Sequence, residues 1–149
     1  MRTSLVRWGV SFFLVVVSIA ACRAPVGPQL GDISEHRAIW RSQALKNYSY
    51  EYEQTGFFNN LSGHVLRFEV RGDTVRSALF AATGDAVPGS PTAFPTIDAL
   101  FTEAERALES QTLTAIAFDP HLGYPLRMDI AGPPDAAGSV FAAQLRSIP

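Results

Sequence analysis

The chain lacks most of what announces an enzyme, a metal protein or a nucleic-acid binder. It has one cysteine, so no disulfide forms within it and no set of thiolates can hold a metal. Its three histidines, His36, His64 and His121, fall on three different expected elements, without metal-ligand spacing. There is no phosphate-cradling glycine loop, no G-x-S-x-G and no H-E-x-x-H. No cofactor is implied. A formal net charge of −2 leaves no basic footprint for nucleic acid. No apolar run reaches the roughly 20 residues that a membrane-spanning helix needs. What is present is 149 residues, enough for one domain with a core that needs no disulfide.

The single cysteine has a telling position. Residues 1–7, MRTSLVR, carry two arginines and no acid, and residues 8–19, WGVSFFLVVVSI, are apolar apart from two serines. A basic start, a short apolar stretch and small residues together make a secretory signal over residues 1–21. Ile19-Ala20-Ala21-Cys22 resembles the lipobox of bacterial lipoproteins. That resemblance implies that the Cys22 thiol takes a diacylglyceryl group. The bond before it is then cut, and Cys22 becomes the first residue. A thiolate is the side chain nucleophilic enough for such selective alkylation. Two or three acyl chains, at ~0.8 kcal/mol per buried CH₂, hold a protein on a membrane where one would not. Arg23 stands where an aspartate would retain a lipoprotein in the inner membrane, so the resemblance points to the periplasmic side of the outer membrane in a Gram-negative envelope.

Residues 22–31 read as a flexible tether, with two prolines and two glycines and no periodicity. One domain follows over 32–149. Its first helix is expected over about 33–46, opened by a capping box at Asp32-Ile33-Ser34-Glu35, with Ile33, Trp40 and Ala44 on one stripe. In NYSYEYEQT the tyrosines 48, 50 and 52 alternate with polar residues, a strand pattern that puts them in the core. HVLRFEVRGDTVRSALF reads as a hairpin about Gly72-Asp73, pairing Val70 with Val75, Leu66 with Leu79 and Glu69 with Arg76. The tyrosine strand should pair with it so that Tyr52 meets Phe68 and Glu53 meets Arg67. The loop 81–95 is long enough to be mobile or to bind. A helix capped by Thr96 follows, with Ile97, Leu100, Phe101, Ala104 and Leu108 inward. LTAIAFDPHLGYPLRMDI is a second hairpin, and a last strand over 139–146 should face Phe141, Ala143 and Leu145 to the core. The expected fold is α+β: an antiparallel sheet of about six strands with two helices on one face, in the order helix, three strands, helix, three strands. The other face should be polar, carrying Glu51, Glu53, Arg67, Glu69, Arg71 and Arg76.

Trp40, Tyr48 and Tyr50 (W-x7-Y-x-Y), Thr96 to Phe101 (T-x-D-x-L-F) and Phe118 to Pro125 (F-D-P-x-L-G-Y-P) together resemble an uncharacterised family of secreted bacterial domains, the domain of unknown function 6174. The likeness spans residues 34–146 and brings no activity with it. Within it, the turn residues Asp119, His121, Gly123 and Tyr124 are the candidate binding or turn site. Asp119 and His121 lie close on a loop, but a tight turn is the favoured reading, with Asp119 accepting from backbone N–H groups and Gly123 at positive φ, because no third catalytic group sits at a suggestive spacing. Glu51 and Glu53 share a strand face at a spacing glycosidases use, but beside arginines that would keep both ionised. Arg71-Gly72-Asp73 spells an adhesion tripeptide and is explained as a strand end with its turn. The leading expectation is a lipid-anchored, non-enzymatic envelope domain that binds a protein or peptide. The alternatives are a small hydrolase or lyase using Asp119 and His121 with Glu51 or His64, and a carrier with an apolar cavity.

Overall fold

The computed structural model describes residues 29–56, 60–132 and 138–149. The expected signal peptide, Cys22 and most of the tether lie outside the described residues, as do residues 57–59 of the loop after the tyrosine strand. Helix α1 spans Leu30–Ser42 and α2 Ile97–Glu109; the strands are β1 Asn47–Thr55, β2 Leu66–Arg71, β3 Thr74–Phe80, β4 Leu113–Phe118, β5 Pro125–Ile130 and β6 Gly138–Ser147. The fold mixes helix and strand. All six strands join one antiparallel sheet in the order β3-β2-β1-β6-β5-β4, two meanders laid side by side through β1 and β6.

The two helices start differently. Thr96 caps α2, its hydroxyl accepting the Ala99 N–H, and Ile97, Leu100, Phe101, Ala104 and Ala107 are buried along one stripe. The expected capping box on α1 does not form. Residues 30–32 are already helical, Gln29 is the extended cap residue and its side chain makes no bond. Asp32 instead sits in the first turn, where its charge suits the helix dipole. The helix also ends early. Ala44 takes φ 51 beyond the last turn and is exposed, so the buried stripe is Ile33 and Trp40 without it.

The sheet's buried side is built by alternation. Tyr48, Tyr50, Tyr52, Leu66, Phe68 and Val70 are all buried, and Val75, Met128, Val140 and Ala142 continue the same layer. The Gly72-Asp73 turn forms as expected, both residues at positive φ, with Val70 opposite Val75. Three registers differ from expectation, two of them at bulges. On β3, Arg76 is an extra residue, so Glu69 faces Ser77 and Leu66 faces Phe80. Between β1 and β2 the pairing is two residues tighter, with Tyr50 opposite Phe68 and Glu51 opposite Arg67. On β6 the expected inward set is out of phase: Val140 and Ala142 are buried, while the half-buried Phe141 has the Arg127 guanidinium 5.1 Å over its ring. Gln144 at φ 50 marks a bulge that shifts the phase, which returns Leu145 to the core's edge.

The 81–95 segment is not a free loop. Phe80 N–H bonds Asp85 O, Val87 N–H bonds Ala78 O, and Leu79 bridges Ala86. Val87 is buried, Pro91–Ala93 form a 3-10 turn, and Phe94 packs 4.8 Å from Phe68. Prolines and glycines there shape a cover along the outer edge of β3. Among the described residues no helix is long and apolar enough to cross a membrane.

Candidate functional site

The residues of the first two motifs converge on the N-terminus of α2. Tyr48 hydroxyl accepts the Ile97 N–H at 3.1 Å, and the Tyr50 hydroxyl donates to the Pro95 carbonyl. Trp40 Nε1 donates to Asp98 at 3.1 Å, and its ring meets Tyr48 edge-on at 5.2 Å and Tyr124 at 6.3 Å. Thus the β4–β5 turn backs the Trp40 ring of α1, while α1 and β1 grip the first turn of α2. Those N–H groups have no intrahelical partner, so the tyrosine strand and Thr96 satisfy groups that would otherwise be buried at a cost. Burial pushes the Tyr48 phenol up to about 12 and the Tyr50 and Tyr52 phenols well above their ordinary value. At neutral pH all three are protonated, and Tyr48 and Tyr50 act as hydrogen-bonding groups.

Beside this grip, Arg37 clamps the helices together. Its Nη1 reaches both Glu105 carboxylate oxygens at 2.8 and 2.7 Å, and its Nη2 donates to Thr102 Oγ1 at 3.1 Å. One guanidinium nitrogen thus spans both carboxylate oxygens while the other holds Thr102, so the pair ties α1 to α2 by charge-assisted hydrogen bonds.

The D-P-H-L-G-Y-P segment is a closed turn docked on α1. Asp119 Oδ1 accepts the backbone N–H groups of His121 and Leu122 at 2.9 and 2.7 Å. Asp119 N–H bonds Tyr124 O, and Gly123 N–H bonds Asp119 O, both at 2.9 Å. Gly123 has φ +78, and a Cβ there would lie 2.6 Å from His36 O, so glycine is required twice over. Tyr124 is buried, His121 is exposed, and the preceding Phe118 stacks on His36 at 4.1 Å. No hydrogen bond or ion pair among the described residues joins Asp119 or His121 to Glu51 or His64. Glu51 pairs with Arg67, and His64 packs edge-on against Phe80. Asp73 of the adhesion-like tripeptide pairs with Lys46 at 3.1 Å. No group of three or more potential metal ligands occurs among the described residues.

The residues that alternate with the buried layer make a second surface. Glu51 meets Arg67 at 3.0 Å, Glu69 meets Arg71 at 2.7 Å, and Arg127 meets Asp129 at 2.8 Å. Arg127, together with the Ser139 hydroxyl at 2.6 Å, holds the Asp129 carboxyl below the usual carboxylate range. Here the β1–β6 register slips between Ser49 and Glu51, opposite Gln144 in its left-handed conformation. A hollow of about 180 Å³ opens at the slip, lined by Ser49, Tyr50, Glu51, Arg67, Gln144 and Arg146. A second, of about 300 Å³, continues over Arg67, Glu69, Arg71, Ser77 and Leu79, and there Arg71 Nη1 donates to the Pro149 carbonyl at 2.7 Å. Sequence reading missed Gln144 and Arg146. The signal was a break of parity: Val140 and Ala142 alternate in one phase and Leu145 belongs to the other, which demands an extra residue between them.

Residues 32–146 match the model of a family described as a family of unknown function (DUF6174). No curated protein matches the chain, and no solved structure does either.

Proposed function

The chain belongs to the DUF6174 family of unknown function, and within that family we propose that it is a lipid-anchored binding module of the bacterial envelope, which holds a protein or peptide on the uncovered face of its sheet. In this reading both helices sit on the tyrosine side, and the face bearing Glu51, Arg67, Glu69, Arg127 and Asp129 is open to a partner. One observation carries it. Trp40, Tyr48 and Tyr50 are consumed in gripping the start of α2, so they build the scaffold, and two adjoining hollows run among the charged residues Glu51, Arg67, Glu69 and Arg71. Polar groups interleaved with a half-buried aromatic, Phe141 under Arg127, match the composition of a protein-binding surface. The reading favours binding over hydrolysis because Asp119 spends a carboxylate oxygen on its own turn and no second catalytic group meets it.

Anchoring rests on the lipobox-like Ile19 to Cys22. A tether of about ten residues would let the domain stand off the membrane by a few tens of ångströms at most. The periplasmic side of the outer membrane is the expected station in a Gram-negative cell. Fractionation with intact-mass measurement tests the anchor: wild type carries acyl mass and sediments with membranes, and Cys22→Ser does neither. Photo-crosslinkers placed at Ser77 on the grooved face and at Thr102 on α2 test the surface. Adducts in intact envelopes should form from position 77. Adducts from position 102 alone would reverse the assignment.

A further inference from the structure

We propose that the hollow at the β1–β6 bulge is a seat for a peptide carboxylate, with Arg146 and Arg67 as its cationic walls. The proposal rests on the binding face assigned above and names the chemistry of what that face takes. Three observations meet at this point. First, Gln144 holds φ 50 in the sixth strand's interior. A non-glycine residue in that region costs free energy, and such conformations persist where the surroundings impose them, often at ligand sites. Second, the slip between Ser49 and Glu51 interrupts the ladder beside Tyr50, and the hollow opens there, with Ser49, Tyr50 and Gln144 in its lining beside the charged groups. Third, the charges do not cancel. Glu51 is neutralised by Arg67 at 3.0 Å, whereas Arg146 is exposed, stands across from Ser49, and has no ion-pair partner among the described residues. The lining therefore carries one cation in excess, in a recess of about 180 Å³, room for a carboxylate and a few methylenes. A planar guanidinium with paired N–H donors suits a carboxylate better than an ammonium would. The Glu51 carboxylate fixes the Arg67 guanidinium from one side and leaves its other donors for the guest. In the adjoining hollow Arg71 already donates to the backbone oxygen of Pro149, so chain lies along this groove in the structure itself.

An acidic side chain and a chain-terminal carboxylate share this chemistry, and the experiment separates them. The full-length protein in detergent micelles is labelled with ¹⁵N and titrated with three probes. Acetyl-Gly-Glu-Gly-Glu-Gly-amide offers side-chain carboxylates only, acetyl-tetraglycine offers only a terminal one, and acetyl-Gly-Gln-Gly-Gln-Gly-amide offers none. At least one carboxylate probe should move the amide signals of Ser49, Glu51, Gln144 and Arg146, and whichever does so identifies the source. Arg146→Gln should weaken that binding ten-fold or more, and Arg76→Gln, an exposed arginine outside the hollow, by less than two-fold. Silence from both carboxylate probes would overturn the proposal, as would unchanged affinity in Arg146→Gln. Equal binding of the glutamine probe would also overturn it while leaving the binding face intact, and cross-links from position 77 report on that face independently.

Discussion

The first half of the chain, α1 with β1 to β3, and the second, α2 with β4 to β6, follow the same plan with opposite strengths. The first half has the better strands. Tyr48, Tyr50, Phe68, Val70 and Val75 are buried to 2 % exposure or less, and its Gly-Asp turn closes the hairpin in two residues. Its helix is the poorer one, without a side-chain cap and with only Ile33 and Trp40 buried among its described residues. In the second half the helix is capped and presents a continuous apolar stripe, but β4 is largely exposed along its length. Neither half completes itself. The strong helix is gripped at its start by the tyrosines of the first half, and the weak helix is held by the β4–β5 turn of the second, at Gly123 and Phe118. Two units that exchange supports in this way should unfold together.

Substitutions that sever one half from the other should reveal this dependence. The largest effect is expected in the aromatic layer. Phe68→Ala should cost about 3–5 kcal/mol through lost burial and a cavity. Phe141→Ala, on the grooved side of β6, should cost less than about 1 kcal/mol. Urea denaturation of the pair gives the contrast directly, and equal losses would mean that the two sides of the sheet are buried alike. Gly123→Ala tests the second half's hold on α1. Positive φ and the 2.6 Å approach to His36 O together should cost about 2–3 kcal/mol, read as a lower urea midpoint.

Alkali should act through the tyrosine grip. The buried Tyr48 phenol has its pKa raised from 10.0 to about 12, and that of Tyr50 is raised as well. The unfolded chain loses these protons first. Their contribution is therefore fully present below pH 10.0 and is lost as pH rises through the folded value near 12. Unfolding followed by circular dichroism should coincide with the rise of tyrosinate absorbance, and Tyr48→Phe should shift the transition. Full ionisation of the tyrosines near pH 10 in a still-folded protein would contradict the burial. The smallest effect concerns the helix starts. Thr96→Ala should cost about 1 kcal/mol, because Ala99 N–H loses its acceptor. Gln29→Ala should cost close to nothing, since Gln29 makes no capping bond.

Much of the fold was legible from local patterns. The tyrosine alternation, the Gly72-Asp73 turn and the Thr96 cap depend on neighbours a few residues away and formed as read; the α2 stripe did so over Ile97 to Ala104, with Ala107 buried where Leu108 was expected and Leu108 at the core's edge. The failures share a cause. A bulge adds one residue and reverses which side of the sheet every later residue faces, so Arg76 left Glu69 to Arg71, and Gln144 hid the inward set of β6. The apparent capping box at Asp32 was a local pattern outweighed by a helix that had already begun at Leu30. The candidate turn was read correctly as to geometry, with Asp119 on backbone N–H groups and Gly123 left-handed.

Sequence alone determined the class of the molecule, a small α+β domain, because period, capping and turn chemistry are properties of short segments. Tertiary structure alone decided that Trp40, Tyr48 and Tyr50 meet at the first turn of α2, that Gly123 lies against His36, and that Arg146 stands beside Arg67 over a gap in the ladder. Those residues lie far apart along the chain, and only strand order and the slip of register bring them within reach of one another.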